Sequence, residues 1–416
     1  MSVRTDYFGR KGAGLEEGRF DASAVDATSS SSVQSFLSQV RRHLHRNPEV
    51  GFQEHDTSAL IARVLSSAGL DVRSAAGTGL YVDIDGPRAG KRVAYRADLD
   101  ALPAVDAKSV PYASERNGTA HLCGHDVHSA IAIGIALLLN GRRAELPGCV
   151  RVFFQPNEEG IPSGAPVMIR DGVLDGVDAI YAVHVDPTLA VGRFGLITGA
   201  ATAAADRFEV HVSGATSGHS ARPHQSVDTV WTATQIAQHL YQLPGRITDS
   251  RNPAVLVICR FDAGVAFNVI PRHVSFGGTL RCTSQADRQL LKDRLISASK
   301  QIGAIHGAQI DVTFDSGAPP VINHPEYVDS VARIAERMFG RDSVVRITTP
   351  SMGAEDFSYY LESVPGAMVR VGTSSSSTTS YPLHDSMFDI DEAAMEPAAR
   401  LMAEVLMDRL SVLAAT

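Results

Sequence analysis

Apolar and polar positions change rhythm along the chain, and the changes divide it. Leu60, Ile61, Val64 and Leu65 recur at helical spacing, with Asp56 placed to cap the helix start and Gly69 to end it. Short apolar runs follow at 80–84 and 92–95, a helical stretch begins after Asp126, and strand-like runs return at 150–155 and 179–185. These runs do not alternate, and helical segments separate them. That texture predicts strands buried on both faces of a mixed, largely parallel sheet, hence an α/β first domain.

Near residue 200 the pattern changes. An Ala-rich joint, 199–205, leads into Phe208-Glu209-Val210-His211-Val212, where apolar and polar residues alternate and one sheet face becomes wet. A helical stretch at 227–243, strand-like 254–261 and 274–280, a charged helix at 285–302 and strand-like 309–314 complete the order β-α-β-β-α-β. That is the ferredoxin-like, split βαβ plan. After Gly317 the buried texture resumes, with a run at 367–371 and a long terminal helix from about Asp391. The expected organisation is a flexible tail over 1–32, a discontinuous catalytic domain over 33–202 and 317–416, and a lid domain over 203–316 inserted into it. No internal repeat is evident. The Ser/Thr run 373–380 reads as a loop, a candidate mobile segment just before His384.

Composition narrows the function classes. A chain of 416 residues with 44% hydrophobic and 20% charged positions falls in the globular range and is long enough for two domains. Its formal net charge of -8 and the lack of a Lys/Arg cluster argue against a nucleic-acid partner. The longest apolar runs, such as 130–139, fall short of the roughly 20 residues a bilayer span needs, and the first 32 residues lack the apolar stretch of a secretory signal. The four cysteines, at 123, 149, 259 and 282, do not resemble a disulfide framework, so a reducing, cytoplasmic setting is expected.

The densest chemistry lies in His121-Leu122-Cys123-Gly124-His125-Asp126-Val127-His128, which packs three imidazoles and a thiol at the mouth of a predicted helix. A helix N-terminus lowers a thiol's pKa, and a thiolate beside imidazoles suits zinc or a similar divalent ion. The same residues also fit a cysteine nucleophile with a histidine base. Phe153-Phe154-Gln155-Pro156-Asn157-Glu158-Glu159-Gly160 places adjacent carboxylates past the end of a buried strand, where α/β proteins build sites. One can bind metal while the other moves protons. His184 ends another buried strand, and His384 sits in Pro382-Leu383-His384-Asp385-Ser386. Together Cys123, His125, Glu159, His184 and His384 supply five N, O and S donors, enough for two ions that share ligands.

Several ordered segments resemble one family. They are Arg42-His43-Leu44-His45-Arg46-Asn47-Pro48-Glu49, Tyr95-Arg96-Ala97-Asp98-Leu99-Asp100-Ala101-Leu102-Pro103, the Cys-Gly-His-Asp and Gln155–Gly160 segments, Gly218-His219-Ser220-Ala221-Arg222-Pro223-His224, Asn268-Val269-Ile270-Pro271, Gly278-Thr279-Leu280-Arg281 and Gly353-Ala354-Glu355-Asp356-Phe357. From about Val40 to Met407 the chain resembles the aminoacylase and carboxypeptidase superfamily of di-metal hydrolases. Within it, the branch of indole-3-acetyl-amino-acid hydrolases, hippurate hydrolases and N-acyl-amino-acid amidohydrolases is most similar. The resemblance implies that Cys123, His125, Glu159, His184 and His384 ligate two divalent ions (Zn, Mn or Co), with Glu158 the general base for metal-activated water. It implies that Asp98, Asp100 and Asp126 orient the ligands; in the wider superfamily a His stands where Asp98 is, and the cysteine compensates. His219 resembles the lid histidine that steadies the oxyanion, often in a neighbouring subunit's site, so the lid is also an expected homodimer surface. Asn268 and Arg281 resemble groups that hold a substrate carboxylate.

The expected activity is hydrolysis of the amide of small N-acyl amino acids. The alternatives are a metallodipeptidase or carboxypeptidase with the same site, a thiol hydrolase on Cys123 and His125, and a non-catalytic homologue. Three departures from the family pattern, Ile161-Pro162-Ser163, the extra N-terminal residues and the Ser/Thr run, leave every ligand and the base in place and bear on the acyl pocket alone.

Overall fold

The computed structural model describes residues 20–415. The described chain divides into two compact units, one of residues up to 199 with 323–348 and from 359 on, the other of residues 200–322 and 349–358.

The first unit begins earlier than its sequence texture suggests. Residues 1–19 of the expected tail lie outside the described residues. From Phe20, which is buried, the chain packs, and helix α1 (Ser30–Arg46) starts with the Ser29 side chain accepting from the Ser32 amide. The Ser run is thus a capped helix start. Val33, Phe36, Leu37, Val40 and Leu44 form its buried stripe. Helix α2 (His55–Ser67) differs from expectation at its cap: Glu54 holds the N-cap position and Asp56 lies in the first turn. The Glu49 carboxylate, reaching from outside the helix, accepts from the Asp56 and Thr57 amides at 3.2 and 2.8 Å. Gly69 ends this region at φ 76°, in the left-handed region that favours glycine.

Strands β1 (Val72–Ala75), β2 (Gly79–Asp85), β3 (Arg92–Asp98), β4 (Cys149–Gln155), β5 (Ala179–Ala190) and β6 (Phe194–Leu196) join strands Val344–Arg346 and Gly366–Ser374 in one eight-stranded sheet. Its order is β1-β2-β4-β3-β5, then Gly366–Ser374, β6 and Val344–Arg346. The centre, from β4 through β3 and β5 to Gly366–Ser374, is parallel, and antiparallel pairs lie outside it. Helix α3 (His125–Gly141) is buried from His125 through Leu139, the signature of a helix apolar all round. The terminal helix Met395–Ala414 follows a short turn capped by Asp391. The Ser/Thr run closes into a hydrogen-bonded turn, Ser377–Thr379, in which Ser376 and Thr379 cap each other.

In the second unit, strand Ala204–Ser213 buries every other residue, as its alternation predicts. Helices Thr229–Gln242 and Gln285–Ile305 and strands Ala254–Ala263, His273–Cys282 and Gln309–Ser316 complete the β-α-β-β-α-β order. The sheet runs Ala254–Ala263, His273–Cys282, Ala204–Ser213, Gln309–Ser316, antiparallel throughout. Phe208, Val210 and Val212 share a core with Ile236, Leu240, Phe276, Leu291 and Leu295. Among the described residues no helix is long and apolar enough to cross a membrane.

Candidate metal centre

Register brings the chemistry to one end of the parallel strands. Asp98, the last residue of β3, pairs with Gln155, the last of β4. The pairing of Arg96 with Ala182 puts His184 level with Asp98. His184 does not end its strand, as the sequence suggested; β5 continues to Ala190. Crevices at the carboxyl ends of parallel strands are where such sheets hold ligands.

The turn into α3 depends on Gly124. It has φ 87°, and a Cβ there would stand 2.5 Å from Val185 Cγ2, so only glycine lets Cys123 and His125 turn inward against β5. Cys123 Sγ lies 3.7 Å from His184 Nε2. His384 Nε2 lies 3.1 Å from Glu159 Oε1. Donor atoms of Cys123, His125 and Glu159 fall within 4.8 Å of one another, so these three could hold an ion.

Each donor is oriented from behind. His125 Nδ1 is 2.8 Å from the Asp100 carbonyl oxygen, which can only accept, so Nδ1 carries the proton and Nε2 faces the cluster. That Nε2 is buried and has no hydrogen-bond partner among the described residues; the nearest carboxylate oxygens, of Asp98 and Glu158, stand at 3.7 and 3.9 Å. His184 is fixed the same way, Nδ1 donating to the Val185 carbonyl at 2.8 Å. The two oxygens of Asp100 accept from the Glu158 and Glu159 amides, each at 3.0 Å, so one carboxylate sets both glutamates. Asp98 accepts from His128 Nδ1 at 2.7 Å and from Arg96 at 2.6 Å.

His128 also approaches His125 and Asp98 closely enough to suggest a second cluster. Both of its nitrogens are already engaged, Nδ1 with Asp98 and Nε2 accepting from the Val185 amide at 3.0 Å. It is a brace under His184. His121, the third imidazole of the segment, joins no candidate ion cluster among the described residues: both ring nitrogens are buried without a hydrogen-bond partner, and burial pushes it down to about 4. Asp126 accepts from Arg41 and His45, each at 2.8 Å.

The electrostatics favour a cation and disfavour a thiol nucleophile. Burial pushes the Cys123 thiol well above its usual value, and the Glu159 charge adds to this, opposite to the lowering expected from a helix N-terminus. A buried neutral thiol is a poor nucleophile, whereas a divalent ion among these donors would deprotonate it. Burial also holds His184 well below its usual value, in the neutral form that ligates. Burial opposes the charge on Asp98, but His125, His128 and Arg96 outweigh it and hold the carboxyl well below the usual range. An orphaned imidazole nitrogen, a thiol and carboxylates converging in one buried spot fit a divalent ion.

In the second unit, strands Gly218–His219 and Val269–Ile270 pair, and the Ser220 amide donates to the Asn268 carbonyl at 3.1 Å, so His219 and Asn268 are neighbours. His219 Nδ1 accepts from the Ala221 amide at 3.1 Å, which leaves Nε2–H as a donor on an exposed ring. Arg281 donates to the Met352 carbonyl at 2.7 Å.

Sequence reasoning assigned no role to His128, Arg96, Gln155, Glu54, Arg41 or His45. Gln155 accepts from Arg96 and from Tyr360; Glu54 accepts from the Asn157 amide at 2.9 Å and from the Thr78 hydroxyl. The signals available were the segments that hold His128, His45, Arg96 and Gln155, and Arg41 sharing a helical face with His45 at i, i+4.

The pattern for peptidase family M20/M25/M40 matches residues 94–408. The chain is 38% identical over 371 residues, 89% of its length and 95% of the relative's, to an N-acetylcysteine deacetylase of Bacillus subtilis (strain 168). It is 35% identical over 372 residues, 88% of its length and 93% of the relative's, to thermostable carboxypeptidase 2 of Saccharolobus solfataricus. A solved structure of a dinuclear metal-binding peptidase of the M20 family from Bacillus subtilis matches with a TM-score of 0.82 and 34% identity, covering 92% of this chain and 99% of that one. With donors arranged for divalent ions and the match running through both units, the chain belongs to peptidase family M20/M25/M40 and is a metal-dependent hydrolase.

Proposed function

We propose that this hydrolase cleaves the amide of N-acyl amino acids, giving a carboxylic acid and an amino acid, at a site where Cys123, His125, Glu159, His184 and His384 hold two divalent ions. The observation that carries the reading is the buried, unpartnered His125 Nε2 facing the Cys123 thiol, with the Glu158 carboxylate 3.9 Å away. The ions, whether Zn, Mn or Co, would supply Lewis acidity toward water and the amide carbonyl.

The protein's own groups do the rest. Glu158 takes the proton of the attacking water and returns it to the leaving nitrogen, so one carboxylate serves both halves of the reaction. Asp100 keeps Glu158 and Glu159 in their separate roles through the two amides it accepts from. Asp98 and His128 steady His184 from behind, and Asp126 steadies the first turn of α3. His219 donates from Nε2 to the oxyanion that develops on the carbonyl. Asn268 and Arg281 engage the substrate carboxylate, and the second unit serves as lid and dimer surface.

The deacetylase relative supports an acyl-amino-acid substrate, and the carboxypeptidase relative favours a second reading, a peptide in its place. A panel of N-acetyl, benzoyl and indoleacetyl amino acids beside dipeptides, run on chelator-stripped and then metal-reloaded protein, separates them. Turnover of the acyl amino acids that vanishes with the chelator and returns with the metal is expected. Turnover of the dipeptides alone would replace the first reading with the second, and turnover that survives stripping would end both.

A further inference from the structure

Beneath the donor cluster lies a buried polar network of which the proposed chemistry uses Asp126 alone, and Arg41 of α1 is its centre. Arg41 is wholly buried. Its Nε donates to Asp126 Oδ2 and its Nη2 to Asp389 Oδ1, both at 2.8 Å. Asp126 is the residue after His125, in the first turn of α3. Asp389 lies five residues after His384, on the segment that carries that histidine. One guanidinium therefore spans two pieces of chain that are far apart in sequence, each bearing a proposed ligand.

Further groups pack on both arms of this bridge. His45, one helical turn after Arg41, meets Asp126 Oδ2 through Nδ1 at 2.8 Å. The Tyr112 hydroxyl donates to Asp389 Oδ2 at 2.8 Å while its ring lies 4.9 Å from the Arg41 guanidinium. Farther along the same segment, the His384 amide donates to the Leu122 carbonyl at 2.7 Å and the Ser386 carbonyl accepts from the Ala107 amide at 3.0 Å. His384 itself sits at φ 68°, a left-handed conformation uncommon outside glycine.

An arginine and two carboxylates out of water are a costly way to join an apolar helix to a loop; apolar side chains of similar volume pack as stably. What the ion pairs add is direction, since the planar fork of arginine fixes both partners at set angles. We infer that Arg41 is a positioning residue that sets the separation of His125 and His384 by bridging Asp126 to Asp389. The inference rests on the di-metal reading. Ligand-orienting groups of this kind govern metal affinity about 10- to 100-fold.

The test counts and weighs metal independently of turnover. Metal-free wild type, Arg41→Met and Asp389→Asn are titrated with Zn(II) against a chromogenic chelator, ions per chain are counted by elemental analysis, and thermal unfolding is recorded for each. Arg288→Met is the control for losing a buried ion pair, because Arg288 pairs with Asp206 in the second unit, at 2.7 Å. Arg41→Met and Asp389→Asn should each hold one of two ions about 10- to 100-fold more weakly. Arg288→Met should melt lower yet hold both ions as wild type does. Wild-type affinity for both ions in Asp389→Asn and Arg41→Met, or equal weakening in Arg288→Met, overturns the inference. If Arg41→Met does not fold, Asp389→Asn decides, since it removes one arm of the clamp and leaves Arg41 paired with Asp126. A wild type that takes up no Zn(II) overturns the metal reading and this inference with it, and is seen before any variant is compared.

Discussion

The donor cluster of the first unit and the ribbon bearing His219 and Asn268 in the second are built in opposite ways. Around His125, His184 and the Glu158-Glu159 pair, nearly every polar atom not facing the cluster is spent on a buried partner: Asp100 on two amides, Asp98 on His128 and Arg96, His184 on its own strand. His219, on a two-residue strand, and Asn268, in the turn just before the strand it pairs with, stand exposed and tied by a few backbone hydrogen bonds. The difference follows from the tasks proposed for each. Ions tolerate little misplacement of their ligands, so the donors are preorganised by buried groups. Groups that meet a substrate only during turnover gain from an anchorage that opens easily.

Three variants probe that contrast, from the largest expected effect to the smallest. Glu158→Gln should lower kcat roughly 10²- to 10⁴-fold with metal content intact, measured by initial rates and elemental analysis on one preparation. Loss of metal along with rate would make Glu158 a ligand and blur the division of labour with Glu159. His219→Ala should lower kcat on the order of 10²-fold and leave both metal affinity and unfolding temperature at wild-type values. A drop in metal affinity there would mean that the exposed ribbon shapes the cluster, and the contrast would fail.

Glu54 gives the smallest effect. It is fully buried, and burial pushes its carboxyl up to about 7, against hydrogen bonds from Thr78 and the Asn157 amide that lower it. A carboxyl raised in the folded state contributes stability that is complete below its ordinary value of 4.5 and is lost as pH rises through about 7. Wild type should therefore lose more stability than Glu54→Gln between about pH 5 and pH 8, by on the order of 1–3 kcal/mol at 1.36 kcal/mol per unit. Urea unfolding at the two pH values measures it. Equal losses would show that the turn before Glu158 is not held by a buried acid.

Legibility in the sequence followed the range of the interactions involved. Leu60, Ile61, Val64 and Leu65 announced α2 because a buried stripe repeats every turn. The alternation at Phe208, Val210 and Val212 announced a sheet with one wet face. The cap of α2 was misread because Glu49, not the adjacent Asp56, accepts its first amides, and nothing local distinguishes the two. The start of α1 was hidden for a related reason: a run of serines reads as loop until Ser29 is seen to cap it and Phe20 to pack before it.

The site shows the same division. Cys123, His125, Glu158 and Glu159 stood out because chemically unusual residues cluster within a few positions; His184 and His384, ambiguous alone, joined them as further donors, and the resemblance to a family gave the set its roles. Arg41 looked like an ordinary polar residue on a helix, while His45 and His128 stood in conspicuous segments with no role of their own. What separates them from a solvated face is burial against Asp126, Asp389 and Asp98, partners 30 to several hundred positions away.

The sequence by itself determined the α/β character of the first unit, the ferredoxin-like order of the second and which residues offer candidate donors for divalent ions. All three rest on periodicity and on the fixed chemistry of side chains, which a chain carries before it folds. Tertiary structure alone decided which nitrogen of each imidazole faces the cluster, that His128 braces while His121 joins no candidate cluster, and that Arg41 joins two distant segments. Those outcomes depend on which groups lose water together, and desolvation is a property of the packed fold.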